Sequence, residues 1–201
     1  SMDDTPDTRR AYPYAFCLSL TYELKDGMLS MEYQVENRDQ RAMWYAIGAH
    51  PGFNCPMEDG FAFEDYQLAF EKEDDAVSIP YDLDHLHFSP SRQGTRLKGC
   101  TLSLNREMFK NDAVFFDKLN SRMVSILNPA TGRGVEVGFP GFETVAFWTL
   151  YPEPAPYLCV EPWNGSGIYE NEDDQLSHRH HIQHLCPGDS CSYIMTIRIL
   201  G

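Results

Sequence analysis

Apolar and polar residues alternate along much of this chain, and the first sustained run begins near residue 14. Phe16, Leu18, Leu20, Tyr22 and Leu24 alternate with Cys17, Ser19, Thr21 and Glu23, and Asp26-Gly27 follows. Leu29, Met31, Tyr33 and Val35 then alternate with Ser30, Glu32, Gln34 and Glu36. A period of two puts one set on a buried face, and an Asp-Gly pair supplies the backbone of a tight turn. The segment therefore predicts two half-buried strands in an antiparallel hairpin. Shorter strands are expected over 43–48, 66–71, 114–117, 123–127, 134–137, 144–150, 157–161 and 192–200. Pro129 and Gly132 mark 128–133 as a hairpin loop, and only 105–110 suggests a helix, barely longer than one turn. Many short strands, frequent turns and almost no helix predict an all-β antiparallel sandwich or barrel.

Two stretches lack periodicity. Residues 79–99, with Pro80, Pro90 and Gly94, read as a long loop, and 151–156 as a second loop stiffened by three prolines. Loops of this kind on a β scaffold commonly rim a binding cleft. Residues 1–10 read as a tag remnant, Ser1-Met2, and a polar lead-in without a core-forming pattern, with 11–201 as one domain. Such a start suggests a chain taken from within a longer protein. There is no internal repeat or low-complexity tract.

Composition narrows the partners. A chain of 201 residues, 42% hydrophobic and 13% aromatic, can bury a substantial core. Its 16 basic and 30 acidic side chains leave a net charge of −14, which repels phosphate backbones and anionic lipid surfaces, so nucleic acid and membrane are not expected partners. No apolar run approaches the ~20 residues needed to span a bilayer. The six cysteines form no CxxC pair and no leader is evident, which points to reduced thiols and a cytoplasmic location.

Two segments carry the candidate chemistry. GAHPGFNCP presents His50 among turn-forming residues, with Phe53 and Asn54 adding an aromatic surface and an amide. CVEPWNG presents Glu161 on the same strand face as Tyr157, Cys159 and Trp163. Each residue precedes a proline, which biases it toward extended backbone. A histidine with a reference pKa of ~6.5 and a carboxyl of ~4.3 can supply one proton donor and one acceptor near neutrality. The bland alternatives are a core histidine bonded to a backbone carbonyl and an edge-strand glutamate in water. The histidine-rich run at 178–184 lacks companion ligands of zinc-motif type and reads as a polar loop entering the final hairpin, with Pro187-Gly188 as its turn. The acidic stretch after Phe63 reads as a strand and then a solvated loop, because the DxDxDG calcium pattern is absent. A glycosidase would need two facing carboxylates, for which Glu143, Glu153, Glu161 and Asp112 are candidates.

HPGFN at His50, NDAVFF around Asp112, the Trp148 strand, CVEPWNG at Glu161 and HLCPGDS before the last strand occur in this order. In that order they resemble the galactose mutarotase (aldose 1-epimerase) superfamily, its LacX-like branch in particular, from about Arg10 to the C-terminus. The resemblance implies a β-supersandwich that interconverts the anomers of a free aldohexose, a small monosaccharide, without metal or organic cofactor. It assigns Glu161 to take the C1 hydroxyl proton, His50 to donate to the ring oxygen, Asp112 to bond sugar hydroxyls and Trp148 to line the pocket. Family members usually carry an earlier histidine and arginine that contact the sugar, and no histidine precedes His50 here. The expectation is therefore an N-terminally shortened sandwich with an incomplete site. That leaves open a non-catalytic carbohydrate-binding or regulatory role and a homodimer through an exposed sheet edge.

Overall fold

The structure, a computed structural model, describes residues 1–201 as seventeen strands and four short helical turns. The hairpin forms as its alternation requires: Phe16–Lys25 pairs with Met28–Asn37, and Asp26 (φ 51°) and Gly27 (φ 75°) turn between them. These strands belong to an eight-stranded antiparallel sheet. Its order is Met2–Asp3, Phe16–Lys25, Met28–Asn37, Ser190–Leu200, Gly134–Gly138, Met123–Leu127, Gln67–Val77 and Arg96–Ser103. A five-stranded sheet holds Val114–Phe116, Thr144–Trp148, Tyr157–Asn164, Ile47–Gly48 and Gly52–Asn54, the last two both paired with Tyr157–Asn164.

The two sheets enclose one core of 29 buried residues. Phe147 from the smaller sheet meets Phe70 from the larger one edge to face, with ring centroids 5.9 Å apart. Alternation decides which side chains enter this core. Val114, Phe116, Val145, Phe147, Leu158 and Val160 point into it. Phe115 and Ala146 point the other way, where Ile79, Phe88 and Tyr169 from the connecting loops cover them in a second cluster. The smaller sheet is thus buried on both faces, which explains why Val145, Ala146 and Phe147 form an unbroken apolar run. Glu161 lies on that second, loop-covered face, because it pairs with Ala146, which in turn pairs with Phe115.

Several expected boundaries move. The single strand expected over 43–48 is two: Met43–Tyr45 pairs with Gln183–Leu185, and Ile47–Gly48 crosses to the smaller sheet. The strand expected to end at 71 continues to Val77, so the acidic residues Glu71 to Asp75 belong to it and not to a loop. Cross-strand partners hold them extended: Arg96 bridges Asp75 at 2.6 Å, and the Asn120 and Arg122 N–H groups donate to Asp74 (2.8 Å) and Glu71 (2.7 Å). The supposed loop 79–99 contains a small hairpin, Tyr81–Asp82 with His87–Phe88, and the start of Arg96–Ser103. Residues 105–110 form a 3-10 turn, Arg106–Phe109, whose entry is capped by Asn105 accepting from the Met108 N–H at 3.1 Å.

The polar lead-in has structure as well. Met2–Asp3 pairs with Leu18 and Cys17, Asp3 meets Arg38 at 2.7 Å, and Thr8–Ala11 makes one helical turn with no buried residue. Beyond Leu18 the outer edge of Phe16–Lys25 is uncovered, with Leu20, Tyr22 and Leu24 exposed. All six cysteines are unpaired, and no helix is long and apolar enough to cross a membrane.

Phe147 is fully buried between the sheets, whereas Leu24 is 77% exposed. Phe147→Ala is expected to cost about 3–5 kcal/mol in chemical denaturation and Leu24→Ala less than about 0.5 kcal/mol. Equal costs would contradict this placement of the core.

Candidate active site

The strand Tyr157–Asn164 is the site's foundation. On one side Gly48 pairs with Trp163 and Gly52 with Cys159, and between these pairs the regular ladder lapses. The lapse has a chemical cause: Pro51 and Pro162 both lie in it, and neither has an N–H to give. Two flanking bonds keep the strands in place, the Ala49 N–H donating to the Pro162 carbonyl at 3.0 Å and the Val160 N–H to the Pro51 carbonyl at 3.1 Å. Because the register is the same before and after the gap, His50 stands directly opposite Glu161. Paired residues share a sheet face, so both side chains project to the same side.

The two groups meet there. His50 Nε2 lies 3.1 Å from Glu161 Oε1, yet the alignment is not that of a hydrogen bond, and the buried Oε1 has no hydrogen-bond partner in the protein. The glutamate is 3% exposed, and the histidine side chain above it is 61% exposed. The pair thus joins a buried carboxyl to an accessible ring at the mouth of a cleft. Burial raises the Glu161 carboxyl to about 8, and the charge of Asp112 pushes in the same direction. His50 is its sole ion-pairing partner.

Asp112 reaches this neighbourhood from the turn before Val114–Phe116, with φ at 73°, a left-handed conformation that aspartate tolerates better than most residues. Trp148 pairs with Cys159, and its ring meets the His50 ring edge to face at 6.0 Å. Trp163 forms the opposite wall, stacked on Phe115 at 5.4 Å. Gly48 makes room for it, since a Cβ there would stand 2.6 Å from Trp163 Cδ1. A cavity of about 400 Å³ opens beside His50 and Trp163, bordered by Gly48, Asn164 and Ser166. Asn54 lies farther off: it pairs with Tyr157, two positions beyond the Gly52–Cys159 pair, and borders a different cavity with Glu58 and Arg133.

Two contributors were not singled out in the sequence. Cys159, buried directly behind His50 and Glu161, has its thiol raised to about 11 by burial and by Glu161. Asn164, at the end of the EPWN stretch, is fully buried and ties two segments together. It accepts from the Glu143 N–H and donates to the Gly141 carbonyl, each at 2.8 Å. Cys159 was already legible on the Glu161 face of the expected strand, whereas Asn164 lies beyond that strand's expected end at 161.

The other charged groups take structural partners. His178 pairs with Asp173 at 2.9 Å, His180 with Glu172, and half-buried His181 with Glu143 at 2.8 Å and Asp117 at 3.9 Å. The histidine run is therefore more tightly engaged than a solvated loop would be, while Gly188 (φ 81°) turns as expected before the last strand.

Residues 1–183 match the aldose 1-epimerase family, and the chain belongs to that family. Within it the chain falls in the LacX-like branch: it is 32% identical over 197 residues to the plasmid-encoded and chromosomal LacX proteins of Lactococcus lactis subsp. lactis, covering 94% of this chain and 64% of each relative. Among solved structures, the galactose mutarotase related enzyme of Lactobacillus acidophilus superposes with a TM-score of 0.90 at 26% identity, over 98% of this chain and 66% of that one. A galactose mutarotase-like protein of Lactobacillus casei gives 0.82 at 21% identity, over 98% of this chain and 68% of that one. The fold is accordingly the galactose mutarotase-like β-supersandwich. The chain spans just under two thirds of the length of the LacX proteins.

The buried carboxyl has a thermodynamic signature. The unfolded Glu161 ionises near 4.5 and the folded one near 8, so between these pH values the folded state holds a proton that the unfolded state has lost. Its contribution to stability therefore falls as pH rises through this window, by an amount on the order of a few kcal/mol. Glu161→Gln is expected to raise the thermal midpoint, more at pH 8.5 than at pH 5. A variant no more stable than the parent at pH 8.5 would contradict the raised ionisation.

Proposed function

We propose that the chain acts as an aldose 1-epimerase, interconverting the α and β anomers of a free aldohexose such as galactose or glucose. The observation that carries this reading is the cross-strand meeting of a buried carboxyl and an accessible imidazole on one sheet surface, with the imidazole bordering a cavity. Ionised Glu161 accepts the C1 hydroxyl proton while His50 gives its proton to the ring oxygen O5, and the C1–O5 bond breaks to leave an aldehyde. Rotation about C1–C2 presents the other carbonyl face, the O5 hydroxyl adds to it, and both protons return. Asp112 holds sugar hydroxyls, and Trp148 offers an apolar wall to the C–H face of the ring. Asn54, expected as a sugar contact, borders a separate cavity and has no part in this proposal.

A carboxyl tuned toward neutrality suits this task, because a base is most effective when its pKa lies near the working pH. The substrate is uncharged, so the acidic surface does not oppose it. Each proton transfer by a positioned side chain contributes about 10²–10⁴-fold.

A second reading, a carbohydrate-binding protein without catalysis, is favoured by one observation: no arginine or lysine pairs with the Glu161 and His50 groups. Calorimetry and polarimetry separate the two, since binding alone gives saturable heat with galactose and no anomer exchange.

In polarimetry of freshly dissolved α-D-galactose and α-D-glucose, Glu161→Gln is expected to lower kcat/KM by about 10²–10⁴-fold and His50→Asn nearly as much. Parental rates in both variants would remove their assigned roles. The pH profile of kcat/KM is expected to rise through about 8, as Glu161 loses its proton. A profile that instead falls through about 8 would make Glu161 the donor.

A further inference from the structure

Cys159 stands behind the His50 and Glu161 pair and plays no part in the sugar chemistry above. One ligand atom each of His50, Cys159 and Glu161, a ring nitrogen, the thiol sulfur and a carboxylate oxygen, all lie within 4.8 Å of one another. Imidazole, thiolate and carboxylate together form a donor set of the borderline-soft kind that zinc takes. The geometry is already close. Two N and O ligands at tetrahedral positions about 2.0–2.1 Å from a zinc ion stand about 3.3 Å apart, and His50 Nε2 and Glu161 Oε1 stand 3.1 Å apart.

Three further observations point the same way. Glu161 Oε1 is buried without a hydrogen-bond partner, and its contact with His50 lacks hydrogen-bond alignment, so its lone pairs remain uncommitted. The neighbouring charge is the carboxylate of Asp112, and no arginine or lysine pairs with Glu161, so the site is short of positive charge. Cys159 and Glu161 are held rigidly on one strand, two residues apart on the same face, while exposed His50 closes over them and leaves the outer side open to a water.

We propose that His50, Cys159 and Glu161 form a Zn²⁺ site with one open coordination position, and that zinc and sugar exclude each other from the cleft. The exclusion rests on the proposed sugar chemistry, because zinc would occupy the Glu161 oxygen that accepts one proton and the His50 nitrogen that carries the other. The metal site itself does not.

A second cluster, Asp82, His85 and His87, has similar spacing but is already engaged. Asp82 is bound by the Arg92 guanidinium, by His85 at 2.9 Å and by the Asp84 N–H at 3.0 Å, so a cation there would have to displace a guanidinium. That cluster serves as the control.

The test is a zinc titration of the whole chain against a chromophoric chelator, with Co²⁺ as a spectroscopic probe. The parent is expected to take one Zn²⁺ per chain and to show a cobalt–thiolate charge-transfer band. Cys159→Ser and Cys159→Ala are expected to weaken zinc binding at least 30-fold and abolish the band, with circular dichroism confirming that both fold. His85→Ala/His87→Ala is expected to bind as the parent does. No competition with the chelator by the parent, unchanged binding in folded Cys159 variants, or loss of binding in the His85/His87 variant would each overturn the site. In anomer-exchange assays Zn²⁺ is expected to slow the parent at least tenfold, reversed by EDTA. Exchange unaffected at saturating zinc would overturn the exclusion. Absence of exchange even with EDTA would refute the sugar reading instead, while the chelator titration still decides the metal site.

Discussion

The site depends on the register between the strand Tyr157–Asn164 and the chain on either side of Pro51. Two prolines deny the ladder its donors in the middle, and pairs at Gly48–Trp163 and Gly52–Cys159 hold it at both ends. A one-residue slip would turn His50 to the opposite face from Glu161. Two close approaches fix the register against that slip. Gly48 admits the Trp163 ring where no Cβ would fit, and Asn164 anchors the strand's end to the Gly141–Glu143 turn.

That register places an acidic group where water cannot solvate it. A carboxyl buried on the covered face of a sheet, with a second carboxylate near and no guanidinium or ammonium paired to it, is an expense to the folded state. In the proposed reaction the same feature would make it a base of useful strength. Stability and reactivity therefore oppose each other at Glu161, a common trade at functional sites. The large core shared by the two sheets offsets the cost. Burial, with the charge of Asp112 beside it, raises the carboxyl, and the lack of a paired guanidinium or ammonium underlies the proposed affinity for a divalent cation.

Much of this was legible in the sequence. The period of two and the Asp-Gly turn gave the hairpin, and the residues before Pro51 and Pro162 stood out for their fixed extended backbone. The face shared by Tyr157, Cys159, Glu161 and Trp163 was readable from alternation alone. What alternation does not carry is pairing. Nothing local says that Ile47 leaves the partner of Met43–Tyr45 for another sheet, or that His50 meets Glu161 across 111 positions of chain. The acidic stretch Glu71–Asp75 read as a loop because charge usually marks solvent, and its strand is held by partners on the distant segments Arg96–Ser103 and 120–122. Asp112 was recognised by resemblance to a family motif, and its nearness to Glu161 follows from the sheet order, which no single segment encodes.

The most direct measurement is the ionisation of Glu161 itself, followed by ¹³C carboxyl NMR with the resonance assigned by its loss in Glu161→Gln. A midpoint near 8 that falls when Asp112 is replaced by Asn is the result expected from burial beside a second carboxylate. A midpoint near 4.5, unmoved by that replacement, would mean that the carboxyl is solvated and that the cleft described here does not exist in solution.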